Sequence, residues 1–423
     1  MDKLQEARAK IDELDRELCR LFEERMHTVA EVAAYKQEHE MAVFDPAREG
    51  EILAACPSHL TDDTLAPFYR DFQENLMRIS RAYQHKQLDA LYVATAEGGY
   101  PVHIGRGLLS KAGEVMDLSR RVLLVTDSGV PSQYADVVAA VCGKVVRAVL
   151  PMGEDSKSYL VLERLHQVML QNKFTRTDCV VAVGGGVVGD IAGLAAATYM
   201  RGIDFYNIPT TLLAQVDSSV GGKTALNLGG VKNPIGAFKQ PKAVLIDPNV
   251  LDTLSPRDLR AGLVEAVKVA TTHDAALLEK IEEGNLYENI ADIIRRAVEI
   301  KRDVVEADER EGGLRRVLNF GHTIGHAIEG AARGSLRHGE CVAIGTLYMC
   351  APAVRERLER LYITLGIPTK TVYPPNLLIE SLYRDKKAGE DGITCVWVEE
   401  AGSFAFRTLT YPELHNILQG AKV

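Results

Sequence analysis

The sequence predicts a multidomain protein with an all-α three-helix module at residues 1–88, an α/β domain at residues 89–255 and a mostly α-helical domain at residues 256–423. Three observations support this fold class. A chain of 423 residues is too long for one hydrophobic core. Apolar residues recur at helical spacing near the N-terminus, and strand-like runs alternate with helical runs after residue 89.

The composition is that of a globular protein, with 46% hydrophobic and 25% charged residues. A net charge of -9 offers no basic face to a nucleic acid or an acidic membrane. The N-terminus lacks an apolar signal-peptide core, and no apolar run reaches the roughly 18 residues of a membrane span. Seven cysteines without CxxC spacing fit free thiols in a reducing compartment. We therefore expect a cytoplasmic protein with small-molecule ligands and neither a nucleic-acid nor a membrane partner.

The first helix is predicted to be unusually long. No Gly or Pro precedes Pro46, and the apolar positions follow helical spacing over about nine turns: Leu4, Ala7, Ile11, Leu14, Leu18, Leu21, Val29 and Val32. So long a helix cannot bury its apolar face within a small domain, so a second copy of the chain is the expected partner. A second helix starts at Pro46, and a third is capped near Asp62 and runs to about His85.

Polar residues of the helical module could form a small pocket. Arg25 and Lys36 are eleven residues apart and therefore lie within ~20° of the same helix face. Arg8 lies about 100° from Arg25, so it would serve the pocket of a second subunit. Ser80 and Gln84 lie one turn apart on the third helix.

Residues 1–88 resemble the all-helical chorismate mutase family. Eight residues fall at that family's ligand-binding positions: Arg8, Arg25, Lys36, Asp45, Arg48, Glu49, Ser80 and Gln84. The resemblance implies that the arginines bind the carboxylates of chorismate, that Lys36 and Gln84 donate to its ether oxygen, and that the acidic residues orient its ring hydroxyl. Conversion to prephenate has no proton transfer, so holding the substrate and stabilising charge suffice. Two alternatives remain: a module that only dimerises the chain or senses chorismate or prephenate, and ordinary surface cations and helix caps.

The middle domain is predicted to be a parallel, doubly wound sheet. The strand-like runs are Arg121–Thr126, Lys144–Leu150, Cys179–Val183, Ile203–Ile208 and Ala243–Ile246, preceded by a hairpin near residues 91–105. After the third run, a G-x-G-x-x-G sequence opens a helix predicted over Asp190–Tyr199, which is the setting for a pyrophosphate. This motif does not follow the first strand, so the domain is Rossmann-like rather than an ordinary Rossmann domain. Such glycines also serve simple strand-to-helix packing.

Several polar residues follow strand ends, where open α/β sheets bind ligands. With the glycine turn they make a candidate nucleotide site: Asp127, Glu154, Lys157, Gly186, Val187, Val188, Gly189, Asp190, Thr210 and Thr211. A further stretch, residues 208–241, is too polar and glycine-rich for a core, and we expect it to be a long loop system. Its Lys223, Lys232 and Asn233 stand among glycines that admit an anion, which predicts a phosphate and polyol cradle.

The C-terminal domain carries a candidate metal site. Glu265 lies on a helix predicted over Leu259–Thr272, and His322 and His338 open later helices. Two imidazoles and one carboxylate with open positions suit catalytic Zn²⁺ or a similar ion such as Co²⁺. His322 and His326 have H-x-x-x-H spacing but lack the glutamate of a metalloprotease. Such pairs are also common as ordinary core or surface residues.

Residues 90–423 resemble 3-dehydroquinate synthase, on the motifs DSSVGGKTALN, GxxKN, AGLVEAVK, LRRVLNFGHTIGHAIE and LRHGE. The resemblance implies metal ligation by Glu265, His322 and His338, and NAD⁺ near the nucleotide set with Lys223 and Lys232. The implied catalytic and substrate-binding residues are Lys223, Asn233, Lys268, Lys301, Arg315, Asn319, His326, Lys386, Lys387 and Arg201. Arg201 would enter a neighbouring subunit's site, which implies a homodimer or higher homo-oligomer.

The implied reaction belongs to the shikimate pathway of aromatic amino-acid biosynthesis. It converts 3-deoxy-D-arabino-heptulosonate 7-phosphate to 3-dehydroquinate and phosphate, with NAD⁺ and a divalent metal. Related sugar-phosphate cyclases and polyol dehydrogenases are the alternatives. Arg315 and Lys301 favour a substrate with a carboxylate, which those cyclases do not need, and the Lys223, Lys232 and Asn233 set favours a phosphate, which polyol dehydrogenases do not need.

Overall fold

A computed structural model describes residues 3–39, 43, 45–55, 58, 60–87, 91–96, 98–383 and 392–420. The chain forms two compact units, residues 1–101 and residues 102–423. The predicted boundary after residue 88 falls outside the described residues, and the predicted three-part division stays a prediction.

The first unit contains the three predicted helices and a hairpin. Their bounds are α1 (Lys3–Glu38), α2 (Pro46–Ala55), α3 (Ala66–Gln87), β1 (Tyr92–Val93) and β2 (Tyr100–Ile104), the last of which continues into the second unit. A 3₁₀ turn at Asp63–Leu65 leads into α3, and the Asp62 side chain caps it by accepting from the Thr64 amide. Helix α1 packs against α3, and so does α2. The helix predictions for this module are thus confirmed.

One face of α1 is apolar and exposed in the single chain. Its leucines and isoleucine recur at seven-residue intervals in two series, and each is about half exposed: Leu4, Ile11, Leu14, Leu18 and Leu21. A sustained seven-residue repeat of this kind is the seam of a helix that packs against another helix. The buried side chains of α1, such as Met26 and Ala33, lie further along the helix.

The second unit starts with an α/β part. Its strands are β3 (Arg121–Asp127), β4 (Lys144–Leu150), β5 (Cys179–Gly184), β6 (Asp204–Pro209), β7 (Lys223–Leu228), β8 (Val231–Phe238) and β9 (Ala243–Ile246). Its helices are α4 (Ala112–Val115), α5 (Ser132–Ala140), α6 (Tyr159–Gln171) and α7 (Gly186–Thr198). Parallel pairing gives the order β2-β9-β6-β5-β3-β4, which confirms the doubly wound sheet.

Both faces of the sheet are covered, which is why strands β5 and β9 are buried along their whole length. Leu123 and Val125 pack with α6 and α7 on one face, and Val122 and Leu124 pack with α5 on the other. Because these strands are parallel, their C-terminal ends lie along one edge of the sheet. Open α/β sheets bind ligands at that edge.

Two predictions for this part are wrong. Residues 208–241 do not form a long loop: a π-helical turn, Ala214–Ser218, is followed by the antiparallel hairpin β7–β8. Gly229 and Gly230 have positive φ and make its tight turn, so glycine here marks a hairpin rather than the absence of structure. The helix predicted to start at Asp190 starts at Gly186, and glycine at position 189 lets α7 approach Asn207 of β6 closely.

The remainder of the second unit is mostly helical. Its elements are α8 (Pro256–His273), α9 (Ala275–Glu282), α10 (Leu286–Ala307), α11 (His322–Ala332), α12 (His338–Tyr348), α13 (Pro352–Thr364), α14 (Pro375–Tyr383), β10 (Ile393–Trp397), β11 (Ala405–Leu409) and α15 (Tyr411–Leu418). Helix α12 packs against both α8 and α11. Within the described residues, no helix is long and apolar enough to cross a membrane.

Candidate functional site

Glu265, His322 and His338 converge in the helical part of the second unit. Glu265 lies in the middle of α8, and the two histidines are the first residues of α11 and α12. Oε1 of Glu265 is 3.4 Å from Nε2 of His338 and 3.9 Å from Nε2 of His322. Bonds of about 2.1 Å at a tetrahedral angle separate two ligand atoms by about 3.4 Å. The two distances from Oε1 are therefore close to those between ligand atoms that share one divalent ion.

The Glu265 carboxylate is fully buried and incompletely satisfied. The Lys268 ammonium lies 2.6 Å from its Oε2, yet neither carboxylate oxygen has a hydrogen bond of normal geometry among the described residues. Burial alone would raise the pKa of Glu265, but Lys268 and His322 hold it well below its usual range. An ionised, buried carboxylate with Oε1 facing two imidazoles is an arrangement that a bound cation would complete.

Both histidines present Nε2 to Glu265 and use Nδ1 elsewhere. Nδ1 of His322 is 3.2 Å from the Phe320 carbonyl oxygen, so its proton points away from the site. Nδ1 of His338 is 3.3 Å from Oε2 of Glu329. Burial, with Lys268, holds the pKa of His322 well below its usual range, which keeps the ring neutral as a metal ligand must be.

Glu329 links the histidine cluster to the β7–β8 hairpin. Its Oε1 is 2.7 Å from the Lys232 ammonium, while its Oε2 faces His338. Burial disfavours its charge, but the contacts with His338 and Lys232 lower the pKa of Glu329. For His338, the two neighbouring carboxylates outweigh burial and raise the pKa to about 10 in the metal-free protein.

His326 stands beside the same cluster, one turn after His322 on α11. Its ring centroid is 5.1 Å from that of His322 and 5.8 Å from that of His338. Nitrogen atoms of the three rings lie within 4.8 Å of one another, so three histidines form a second ligand set that the geometry admits. His326 is exposed, whereas Glu265 is buried, so the ring is also open to a substrate.

Two ion pairs and a close helix contact fix the relative position of α8 and α12. Arg257 at the start of α8 forms two 2.7 Å contacts with Glu340 of α12, and Arg337 is 2.8 Å from Asp258. Between them, a Cβ on Gly339 would lie 1.9 Å from the Ala261 carbonyl oxygen. Only glycine permits this approach, which sets the distance between Glu265 and His338.

A cluster of buried cations lies next to the histidines. The Lys301 ammonium is 2.6 Å from Oδ1 of Asp217, and Arg315 donates to the carbonyl oxygen of Gly221 at 2.9 Å. Burial, with the charges of Arg315 and Lys268, outweighs Asp217 and lowers the pKa of Lys301 to about 8. The lowered pKa of Lys301 therefore comes mainly from burial, and Asp217 is its counter-charge.

Lys223 and Asn319 meet at one carboxylate. Lys223, the first residue of β7, forms an ion pair with Glu311, and the Asn319 amide donates to the other oxygen of Glu311 at 3.0 Å. This contact brings the hairpin against the helical part, as the predicted substrate site requires.

Lys157 links Asp190 of α7 to the β7–β8 hairpin. Its ammonium lies 2.6 Å from Oδ2 of Asp190 and 2.5 Å from Oδ1 of Asn233. Asn233 itself has a left-handed backbone and is held by the Asn227 side chain, which also donates to Glu154. Burial raises the pKa of Asp190, against the opposing effect of Lys157.

The remaining residues of the candidate nucleotide site lie along the strand ends. Asp127 ends β3 and accepts from the Gly129 amide, beside an open cleft of about 420 Å³. The Thr210 amide donates to Gly184 and thus lies next to the glycine turn. Gly186 and Val187 occupy the first turn of α7, and no side chain caps that helix at Gly185. Thr211 follows β6, where its methyl group would meet a Cβ on Gly185.

Four predicted residues remain: Val188, Arg201, Lys386 and Lys387. The side chain of Val188 is fully buried in the core, so a ligand could meet only its amide. Arg201 is exposed and has positive φ. Lys386 and Lys387 lie outside the described residues.

The first unit holds five of the predicted mutase residues in contacts or buried positions on its helices. Arg25 donates to Ser80 at 2.5 Å, and Gln84 is buried one turn further along α3. Lys36 donates to the Val43 carbonyl oxygen at 2.6 Å. Glu49 forms an ion pair with Arg81 of α3.

The other three mutase candidates differ from this group. The Asp45 side chain accepts from the Arg48 amide and so caps α2, and the Arg48 side chain points to Glu51. Arg8 is exposed and lies seventeen residues before Arg25, roughly 25 Å along the helix axis, so within one chain it cannot reach Arg25.

Sequence reasoning missed the acidic partners of the site cations: Asp217, Glu311 and Glu329. Glu329 had a signal, because it is seven residues after His322 and three after His326 and therefore shares their helix face. Asp217 and Glu311 meet their partners only through tertiary folding, and no spacing in the sequence indicates those contacts.

Solved structures define the class of fold. The second unit resembles 2-epi-5-epi-valiolone synthase from Streptomyces hygroscopicus subsp. jinggangensis 5008, solved with NAD⁺ and Zn²⁺ bound, at 30% identity and a TM-score of 0.71 over 76% of this chain and 96% of that one. It also resembles 2-deoxy-scyllo-inosose synthase in complex with carbaglucose-6-phosphate, NAD⁺ and Co²⁺, at 25% identity and a TM-score of 0.71 over 79% of this chain and 100% of that one.

Family models and curated relatives are more specific. Residues 147–261 match the 3-dehydroquinate synthase N-terminal model, residues 262–388 the C-terminal model, and residues 7–85 chorismate mutase type II. The 3-dehydroquinate synthase of Thermoanaerobacter pseudethanolicus is 41% identical over 78% of this chain and all of its own length. That of Nitrosospira multiformis is 44% identical over 67% and 82% respectively. The chain belongs to the 3-dehydroquinate synthase family and carries a type II chorismate mutase module before it, which confirms both resemblances.

Proposed function

We propose that this chain is a bifunctional enzyme of the shikimate pathway. Its second unit converts 3-deoxy-D-arabino-heptulosonate 7-phosphate to 3-dehydroquinate and phosphate, and its helical module converts chorismate to prephenate. Curated 3-dehydroquinate synthases at about 40% identity support the first activity. The chorismate mutase model over residues 7–85 supports the second.

One observation carries the synthase proposal: a carboxylate and two imidazoles meet beside a cluster of buried cations. We assign the ion to Glu265, His322 and His338, because their facing atoms have the separations that a shared ion requires. Zn²⁺ or Co²⁺ suits two imidazoles and a carboxylate. We assign NAD⁺ to the strand edge, where the glycine turn of α7 leaves room for a pyrophosphate and Asp127 can accept from ribose hydroxyls.

The residues around this centre have separate roles in the proposal. When bound, the ion lowers the pKa of substrate hydroxyls and NAD⁺ accepts and returns a hydride. Lys301 and Arg315 pair with the substrate carboxylate. Lys223, Asn233 and Asn319 hold its hydroxyls and phosphate.

Four further side chains complete the synthase proposal. Lys268 keeps Glu265 ionised. The phosphate of the substrate accepts the proton that must be removed, with His326 and Lys223 in support. Lys386 or Lys387 reaches the phosphate.

The synthase proposal is tested by substrate choice in the full chain. Turnover is measured with the heptulosonate phosphate, with seven-carbon sugar phosphates that lack a carboxylate, and with glycerol. We expect turnover with the heptulosonate phosphate alone, and its loss in Glu265→Gln. Turnover of a non-acid sugar phosphate would assign the chain to a related cyclase, and turnover of glycerol to a polyol dehydrogenase.

The mutase proposal is tested at Arg25, which contacts Ser80 in the module. We expect Arg25→Ala to abolish prephenate formation and to leave synthase turnover unchanged. A wild-type chain that forms no prephenate, but whose synthase kinetics respond to prephenate, would make the module a sensor.

We also propose that two copies pair through α1. The exposed seven-residue repeat of α1 supports this, and Arg8 would then enter the partner's mutase pocket. Arg201, exposed in the turn between α7 and β6, would enter a partner's synthase site in the same homo-oligomer. Light scattering of the full chain tests the oligomer. We place the protein in the cytoplasm, which suits the free thiols of its described cysteines.

A further inference from the structure

Arg81 is a cation of the mutase module to which no role has yet been given. It follows Ser80 on α3, and its Nη1 lies 2.5 Å from both carboxylate oxygens of Glu49 on α2. The side chains of Arg81 and Glu49 are only 19% and 22% exposed. The pair therefore joins α2 to α3 in a partly desolvated place, where a charge-assisted contact is strong.

The pair differs from the other ion pairs of the module. Arg48 with Glu51, and Arg70 with Glu74, are at least half exposed and connect neighbouring turns of one helix. Such surface pairs contribute little. Arg81 and Glu49 are thirty-two residues apart in sequence and are held together by the fold.

The chemistry of the substrate explains why Glu49 needs a partner. Chorismate carries two carboxylates, and Glu49 is one of the two acidic residues expected to orient its ring hydroxyl. An uncompensated carboxylate would repel a dianion, because like charges at close range in a partly buried pocket disfavour each other. Arg81 neutralises Glu49 and fixes its direction, while leaving its lone pairs able to accept from a hydroxyl.

A tyrosine beyond the helices holds Arg81 in turn. Tyr92 of β1 accepts a hydrogen bond from Arg81 and donates its hydroxyl proton to the Gly98 carbonyl oxygen at 2.8 Å. A Cβ on Gly98 would lie 3.9 Å from Arg81, so the β1–β2 turn packs next to the guanidinium. Gly99 has φ +97°, and a Cβ there would meet the Val93 carbonyl oxygen at 2.4 Å and the Tyr92 ring at 2.8 Å. The turn is thus shaped around the tyrosine ring.

We propose that Arg81 is a positioning residue of the mutase site that orients and neutralises Glu49, and that Tyr92 fixes Arg81. The β1–β2 hairpin is then part of the mutase site, although it lies after residue 85, at which the match to the mutase family model ends. This inference rests on the proposed mutase activity.

The test uses the full chain and its two activities. Arg81→Met, Arg81→Lys, Tyr92→Phe and Glu49→Gln are compared with wild type for prephenate formation, with synthase turnover as the internal measure of folding. We expect Arg81→Met to lower mutase kcat/KM by about tenfold or more, mainly through kcat. Arg81→Lys should recover part of the loss, and Tyr92→Phe should cost a few-fold. Arg70→Met, at an exposed pair on the same helix, is the matched control and should change neither activity.

The double variant Glu49→Gln with Arg81→Met separates positioning from a merely structural role. If Arg81 acts through Glu49, adding Arg81→Met to Glu49→Gln changes kcat less than twofold. Losses that multiply in the double variant would overturn the inference, as would Arg81→Met and Arg81→Lys with wild-type kcat. A wild-type chain without mutase activity would refute the proposed mutase function and this inference with it. An active wild type with an unaffected Arg81→Met would refute the inference alone.

Discussion

Replacing Glu329 by Gln tests whether the hairpin contact supports the metal centre. The change keeps the size of the side chain and an oxygen that can accept from Nδ1 of His338, but it removes the negative charge. In the wild type that charge lies 3.3 Å from Nδ1 and makes the ring a stronger electron donor at Nε2. Glu329→Gln should therefore weaken metal binding without moving His338.

The size of the effect follows from the contacts of Glu329. Two unit charges at this distance and an effective dielectric constant of about 20 interact by about 5 kcal/mol. The ring of a bound histidine carries only part of the ion's charge, and Lys232 at 2.7 Å already offsets part of the carboxylate charge. The expected loss is a 10–100-fold rise in Kd, or about 1.4–2.7 kcal/mol.

The assay measures metal affinity directly, apart from turnover. Protein stripped with a chelator is titrated with Zn²⁺ in competition with a chromophoric chelator, and the Co²⁺ absorption spectrum reports the geometry of the site. Glu356→Gln is the control, because Glu356 pairs with Arg360 on the exposed face of α13. Its Kd should equal that of wild type.

A Kd for Glu329→Gln within threefold of wild type would refute the reasoning. So would an equal shift in the Glu356→Gln control, because the effect would then be one of net charge. Lys232→Met makes the opposite change, because it removes the cation that offsets the Glu329 carboxylate. Metal binding should then be unchanged or stronger.

Three further outcomes are expected. The pKa of Lys301 is about 8 against an ordinary 10.5, so its ammonium is lost as pH rises through 8 and synthase kcat/KM should fall above that pH. Lys301→Arg should extend the plateau of kcat/KM to higher pH. A pH profile unchanged by that substitution would contradict the role assigned to Lys301. Gly339→Ala forces a Cβ into the Ala261 carbonyl and should cost about 1–3 kcal/mol or more, measured as a lower Tm. Gly330→Ala on α11 should not lower the Tm, because its Cβ would meet only the Ser381 hydroxyl at an ordinary 3.9 Å. Leu14→Lys with Leu18→Lys should lower mutase kcat/KM through loss of the α1 pairing and leave synthase turnover intact; an unaffected mutase would exclude α1 as the interface.

The strands show what the sequence can predict. β4 and β9 have the predicted bounds, since unbroken apolar runs between turn residues leave few alternatives. The β7–β8 hairpin was not predicted, because its strands hold Lys, Asn, Gly and Pro, and its stability comes from pairing across the turn and packing on α7. The start of α7 was misplaced for a related reason: glycine is a poor helix former, and only the close approach to β6 explains it there.

The candidate site divides in the same way. Residue types and family motifs identified Glu265, His322 and His338, but the separations of their ligand atoms come from the meeting of three helices, which no local pattern encodes. The counter-charges Asp217 and Glu311 were missed because each contact depends on distant chain segments. Glu329 could have been predicted, because the helical repeat places it on the same face of the helix as His322.

The length of α1 has a consequence for kinetics. Arg8 and Arg25 are fixed on one 36-residue helix. If Arg8 enters the pocket of a second chain, as proposed, a complete mutase pocket needs two chains and its abundance obeys mass action. Mutase specific activity would then decline on dilution below the dissociation constant of that pairing and recover on concentration, while a catalytic centre built from a single chain would not respond.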